Sequence, residues 1–280
     1  MSEITEVGID IFNYLMSFVQ GILFLNPMEF RDGGLWDAVV EINLALLPVS
    51  STIVIISFLL SLYDENLADI NKSTVFRYGL RFCFAVAISV GCSGVVSVII
   101  LFGNWVAHAI VSILPGASIQ FQIPDAVIDA LNNISIFDPS TFTTITPRIA
   151  IQIVFFLICV GSAVIIAIAV FTRLFKLCIL GALAPIPLAF AGAGSGHELG
   201  RIPGRFVTNF LGQSLQVAII WVLLIFYGLI MNNSINFVAS NAHSELFIII
   251  LWMVETVIYM VILVGSIRGA DRLSSQLGFG

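Results

Sequence analysis

The stretch IAIQIVFFLICVGSAVIIAIAVFT, Ile149–Thr172, carries no charged residue and a single amide, Gln152. About 20 mainly apolar residues in a helix cross the ~30 Å hydrocarbon core of a bilayer, so a run this uniform reads as a membrane span. Directly after it come RLFK (173–176), with two basic residues, and a second apolar run of a different kind, LCILGALAPIPLAFAGAGSG (177–196). Pro185 and Pro187 each lack a backbone donor and interrupt a helix, and GAGSG (192–196) has the composition of a turn. One intact span followed by one broken run sets the fold class: an all-α integral membrane protein with a broken, re-entrant hairpin at 177–196.

Outward from this pair lie four more spans, making five in all. They are 42–63, beginning a turn earlier near Leu35; Phe82 to about Phe102; Phe206–Met231; and Leu246–Ile267, with Glu255 inside it. Composition agrees, with 59% hydrophobic and 10% charged residues over 280 positions, against roughly 45–50% and about 25% in soluble domains. A net charge of −6 argues against a chain that holds duplex DNA on a basic surface. Cys83, Cys92, Cys159 and Cys178 stand singly in apolar runs, with no CxxC and no His at ligand spacing. They read as small buried residues and imply neither a disulfide framework nor a metal site.

At the N-terminus Glu3, Glu6, Asp10, Asn13, Ser17 and Gln20 recur at three- and four-residue steps opposite Ile4, Val7, Ile11, Leu15, Phe18 and Ile22. That periodicity predicts an amphipathic helix. It lacks the basic segment of a signal peptide and the basic face of a helix lying on anionic lipid, which favours packing on protein or at the outer interface. The expected organisation is therefore an N-terminal helix and connector, 1–34, on the outside and one polytopic domain, 35–280, with an outer loop at about 103–147.

Nine of the eleven basic residues fall on one side of these spans: Lys72, Arg77, Arg81, Arg173, Lys176, Arg201, Arg205, Arg268 and Arg272. Cytoplasmic loops collect Lys and Arg, so the N-terminus is expected outside and the C-terminus in the cytoplasm. Arg173 and Lys176 before the broken run, with Arg201 and Arg205 after it, place both its ends on the cytoplasmic side as a basic rim.

Motifs for chemistry fail one by one. His197-Glu198-Leu199-Gly200-Arg201 has Arg where a zinc-protease helix needs its second His, and GAGSG lacks the Gly-Lys-Ser/Thr of a phosphate loop. Ser195 and His197 have no acid or nucleophile elbow beside them. No enzymatic activity, cofactor or metal is expected. Asn209, Gln213 and Gln216 share one face of the fourth span and either line a cavity or subunit interface or bond neighbouring helices. Glu255 is either a paired packing residue or part of a pathway.

The run from Arg173 to Ala218, RLFKLCILGALAPIPLAFAGAGSGHELGRIPGRFVTNFLGQSLQVA, resembles the TrbL-like polytopic subunit of type IV secretion and conjugation systems, the family of the sixth VirB protein. The matching elements are the basic Arg173 and Lys176, Ala184-Pro185, the glycine-containing turn from Gly192 to Gly204, and Gly212-Gln213 with Gln216. The resemblance implies a bacterial cytoplasmic (inner) membrane protein, a homo-oligomeric channel or assembly-platform subunit in plasmid DNA and protein transfer. Its implied partners are VirB-type ATPases, a coupling protein, other secretion subunits, membrane phospholipid and, transiently, transferred DNA. On this reading Pro185, Pro187, Gly192, Gly194 and Gly196 shape the hairpin. The competing expectations are a small secondary transporter or ion channel using Glu255 and the span-four amides, and an accessory membrane anchor without a pore.

Overall fold

The computed structural model describes residues 2–24, 27–29, 33–64, 72–113, 127, 129, 142–193, 198–241, 245–270 and 272. Every regular element among them is helical: α1 (Ser2–Phe24), α2 (Gly34–Asp64), α3 (Lys72–Val90), α4 (Cys92–Ile113), α5 (Phe142–Leu183), α6 (Pro185–Ala189), α7 (Ile202–Asn241) and α8 (Glu245–Arg268), with 3-10 turns at Phe190–Ala193 and Glu198–Arg201. Among the described residues five stretches are long and apolar enough to cross a membrane: Gly34–Tyr63, Cys92–Ile113, Gln152–Ala193, Glu198–Ile230 and Phe247–Arg268. The chain is an all-α membrane protein.

Three boundaries differ from expectation. The second span qualifies as Cys92–Ile113, because Arg77 and Arg81 occupy the preceding helix and the uncharged sequence continues past Phe102. The expected outer loop therefore shortens at both ends: α4 runs to Ile113 and α5 begins at Phe142. Gly91 separates α3 from α4 without breaking the hydrogen-bond ladder, since Gly91 N–H donates to Ala87 O (2.9 Å) and Val95 N–H to Gly91 O (3.1 Å). The third difference is the largest. No break occurs at Arg173–Lys176, and Leu177–Leu183 forms the last turns of the 42-residue α5 rather than a separate hairpin limb. Arg and Lys are good helix formers, so the helix stops only where Pro185 fails to donate.

The chain folds as two compact units. Unit 1 holds α1, the first part of α5 to Phe171, α7 from Ile219, and α8. Here α1 is buried on Ile9, Phe12, Met16, Val19, Ile22 and Leu23; of the expected apolar stripe Ile22 is among them, while Val7 and Phe18 are exposed. The apolar arc of α1 is wider than one stripe, so it supplies both a buried face and an outward apolar one. Helix α1 runs along α5, with Phe18 and Phe171 rings 6.3 Å apart and the bare Gly8 fitting against Phe156. Helix α8 meets α5 at Trp252 and Phe155, ring centroids 5.4 Å apart.

Unit 2 holds α2, α3, α4 to His108, α5 from Thr172, α6, both 3-10 turns and the start of α7. Its core is built around the end of α5 and the break. Cys92, Val96 and Ile100 of α4 pack with Leu177, Ala184, Leu188 and Phe210, and Val39 of α2 packs with Leu174, Cys178 and Ala182. Beyond the break, Val54, Ala85 and Ala189 bring α2, α3 and α6 together.

Candidate functional site

The break is made locally and held from outside. Pro185 has no N–H for the Gly181 carbonyl and Pro187 none for that of Leu183. Ala184 N–H tightens onto Gly181 O (3.3 Å), and the helix resumes with Leu188 N–H on Ala184 O (3.2 Å). Freed carbonyls in an apolar interior need donors. Buried Asn43 of α2 serves the Gly181 carbonyl and its neighbour: with its amide nitrogen toward α5 it donates to Gly181 O (3.1 Å) and Ala182 O (2.8 Å). Ala184 and Ala189 are fully buried, and Pro185 and Gly192 are buried with them, while Pro187 is half-buried.

Past α6 the chain presses on α2. A Cβ on Gly192 would stand 2.9 Å from Ser57 Oγ and 3.3 Å from Val54 O, so only glycine lets the 3-10 turn sit this close. Ser57 Oγ donates to Val54 O (3.0 Å) and lies 3.5 Å from Ala189 O. Ser89 Oγ donates to Ser50 Oγ (2.8 Å), tying α3 to α2 nearby. Gly194 and Gly196, expected to shape the same turn, lie outside the described residues.

Arg173 does not join a basic rim. It is 5% exposed; its Nε donates to Gln213 O (3.2 Å) and a guanidinium Nη to Ser214 O (3.0 Å), fastening α5 to α7. Lys176, Arg201 and Arg205 are exposed. At the same crossing Ser214 Oγ donates to Ile99 O (2.8 Å). A Cβ on Gly103 would overlap Ser214, with the Ser214 carbonyl oxygen only 2.7 Å away. Helices α4 and α7 therefore approach backbone to backbone, the small-residue contact common between membrane helices.

The amide stripe of α7 is graded: Asn209 is exposed, Gln213 half-buried and Gln216 buried. Glu255 belongs to unit 1, whereas these amides belong to unit 2; Glu255 is half-buried and accepts from Tyr259 Oη one turn on (3.1 Å). Asn43, Ser57, Gly103 and Ser214 escaped the sequence reading. A lone Asn inside an uncharged span was the available signal for the first; nothing local marks the other three.

No protein-family model, no curated protein and no solved structure matches the chain.

Proposed function

We propose that this protein is a membrane-channel or assembly-platform subunit of a conjugative type IV secretion machine. The observation that carries the reading is the break at Ala184-Pro185. It falls inside the TrbL-like run and sits at the core of a helical unit, with side chains from α2, α3, α4 and α7 packed on it. A device so enclosed suits a structural role in translocation, with energy supplied by separate ATPases and a coupling protein. On this reading the protein lies in the bacterial cytoplasmic membrane, N-terminus outside and C-terminus inside, and several copies surround an axis. Lys176, Arg201 and Arg205, without Arg173, present the cytoplasmic basic face to partner subunits or phospholipid.

Deleting the gene from its element and restoring it in trans tests the proposal through mating. Transfer should fall to the detection limit on deletion and recover on complementation; undiminished transfer contradicts it.

A further inference from the structure

The two units treat buried hydroxyls differently. In unit 2 Ser57 donates to Val54 O, Ser89 to Ser50 Oγ and Ser214 to Ile99 O. In unit 1 Tyr227 of α7 and Thr256 of α8 are 7% and 1% exposed, and neither hydroxyl finds a partner among the described residues. A threonine inside a helix can serve a carbonyl one turn back, as Thr52 and Thr208 do. Thr256 does not, so its oxygen is left to the core rather than tied to its own helix.

The surroundings of these hydroxyls are polar and uncharged. Gln152, Cys159 and Ser162 are buried on one face of α5, at the seven- and three-residue steps of a helical stripe. That face meets α8 where the Phe155 and Trp252 rings touch. Cys159 and Thr256 each stand one turn, about 6 Å, past that contact on their own helices, and Cys159 lies within electrostatic reach of the Tyr227 hydroxyl. No Asp, Glu, Lys or Arg is buried in unit 1 among the described residues.

A buried hydroxyl without a partner is destabilising, and hydrocarbon around the helices supplies none. Water brings both a donor and acceptors, and it is what native interiors hold where buried polar groups lack a protein partner. An ion would bring a charge that nothing buried here balances. We propose that the core of unit 1 binds ordered water through the hydroxyls of Tyr227 and Thr256, on the polar face of α5. The site requires only that the helices be embedded in a membrane, and it stands apart from the conjugation reading.

Two measurements on the full chain in detergent decide it. Tyr227→Phe and Thr256→Val each remove one hydroxyl and keep the shape of the side chain. If water serves these hydroxyls, each variant loses a hydrogen bond and its thermal midpoint should fall by about 2–4 °C. If nothing serves them, removal relieves an unpaired group, and the midpoint stays level or rises. X-ray radiolysis in isotopically labelled water turns bound water into hydroxyl radical where it lies. After correction for ring reactivity, Tyr227 should therefore take up label faster than Phe210, which is fully buried in the apolar core of unit 2. Level or raised midpoints overturn the proposal. So does a fall in midpoint without faster labelling of Tyr227, because a protein group then serves the hydroxyls. Neither measurement bears on whether deletion abolishes mating, so the two proposals fail separately.

Discussion

Helix α2 carries Pro48 within an unbroken run from Gly34 to Asp64, whereas α5 ends at Leu183 and the chain departs from it through Pro185 and Pro187. Each proline removes one backbone donor, so the different outcomes come from what surrounds them. At Pro48 one donor is lost, and the next turn is reinforced by hydroxyls: Ser50 and Ser51 donate to Leu47 O (3.0 and 2.8 Å), and Thr52 to Pro48 O (3.0 Å). At Pro185 two donors are lost within three residues, and Asn43 from a neighbouring helix takes the Gly181 and Ala182 carbonyls. A single proline bends to the helix around it; a pair with an external donor is a built interruption.

The contrast predicts a graded series of thermal midpoints in purified, detergent-solubilised protein. Gly192→Leu should do the most damage, since its side chain meets Ser57 and the Val54 carbonyl and the turn must lift off α2, a loss of at least about 1–3 kcal/mol. Gly79→Leu is its control: nothing lies within 4 Å of a Cβ there, and the midpoint should stay level or rise, because leucine is the better helix former. Next comes Asn43→Leu, which leaves two buried carbonyls without their side-chain donor and should cost about 1–3 kcal/mol. An unchanged midpoint for Asn43→Leu would remove the external donor from the explanation. The smallest effect belongs to Pro48→Ala, which restores a donor in a helix that already forms; its midpoint should stay level or rise.

The spans were readable because charge-free runs longer than a bilayer is thick leave a chain few alternatives, and the break was readable because two prolines so close together cannot both be absorbed. Elsewhere local pattern was a poor guide. In α1 the pattern marks the polar face and buried Ile22, but more than half of the circumference is apolar, and only packing selects Ile9, Phe12, Met16, Val19 and Leu23 for the buried side with it. In sequence Arg173 reads as a charge beside a loop, whereas its partners are carbonyls of Gln213 and Ser214, about forty residues later. Asn43 and the Gly103–Ser214 crossing are likewise pairings between helices, decided by tertiary geometry rather than by the residues on either side.

That the interruption serves translocation is the central claim, and mating with paired variants tests it most directly. The double variant Pro185→Ala/Pro187→Ala and the single Pro48→Ala are each returned to the element, with membrane levels of the protein matched by immunoblot. The account predicts near-normal transfer for Pro48→Ala and loss of transfer for the double variant. Normal transfer by the double variant would contradict it.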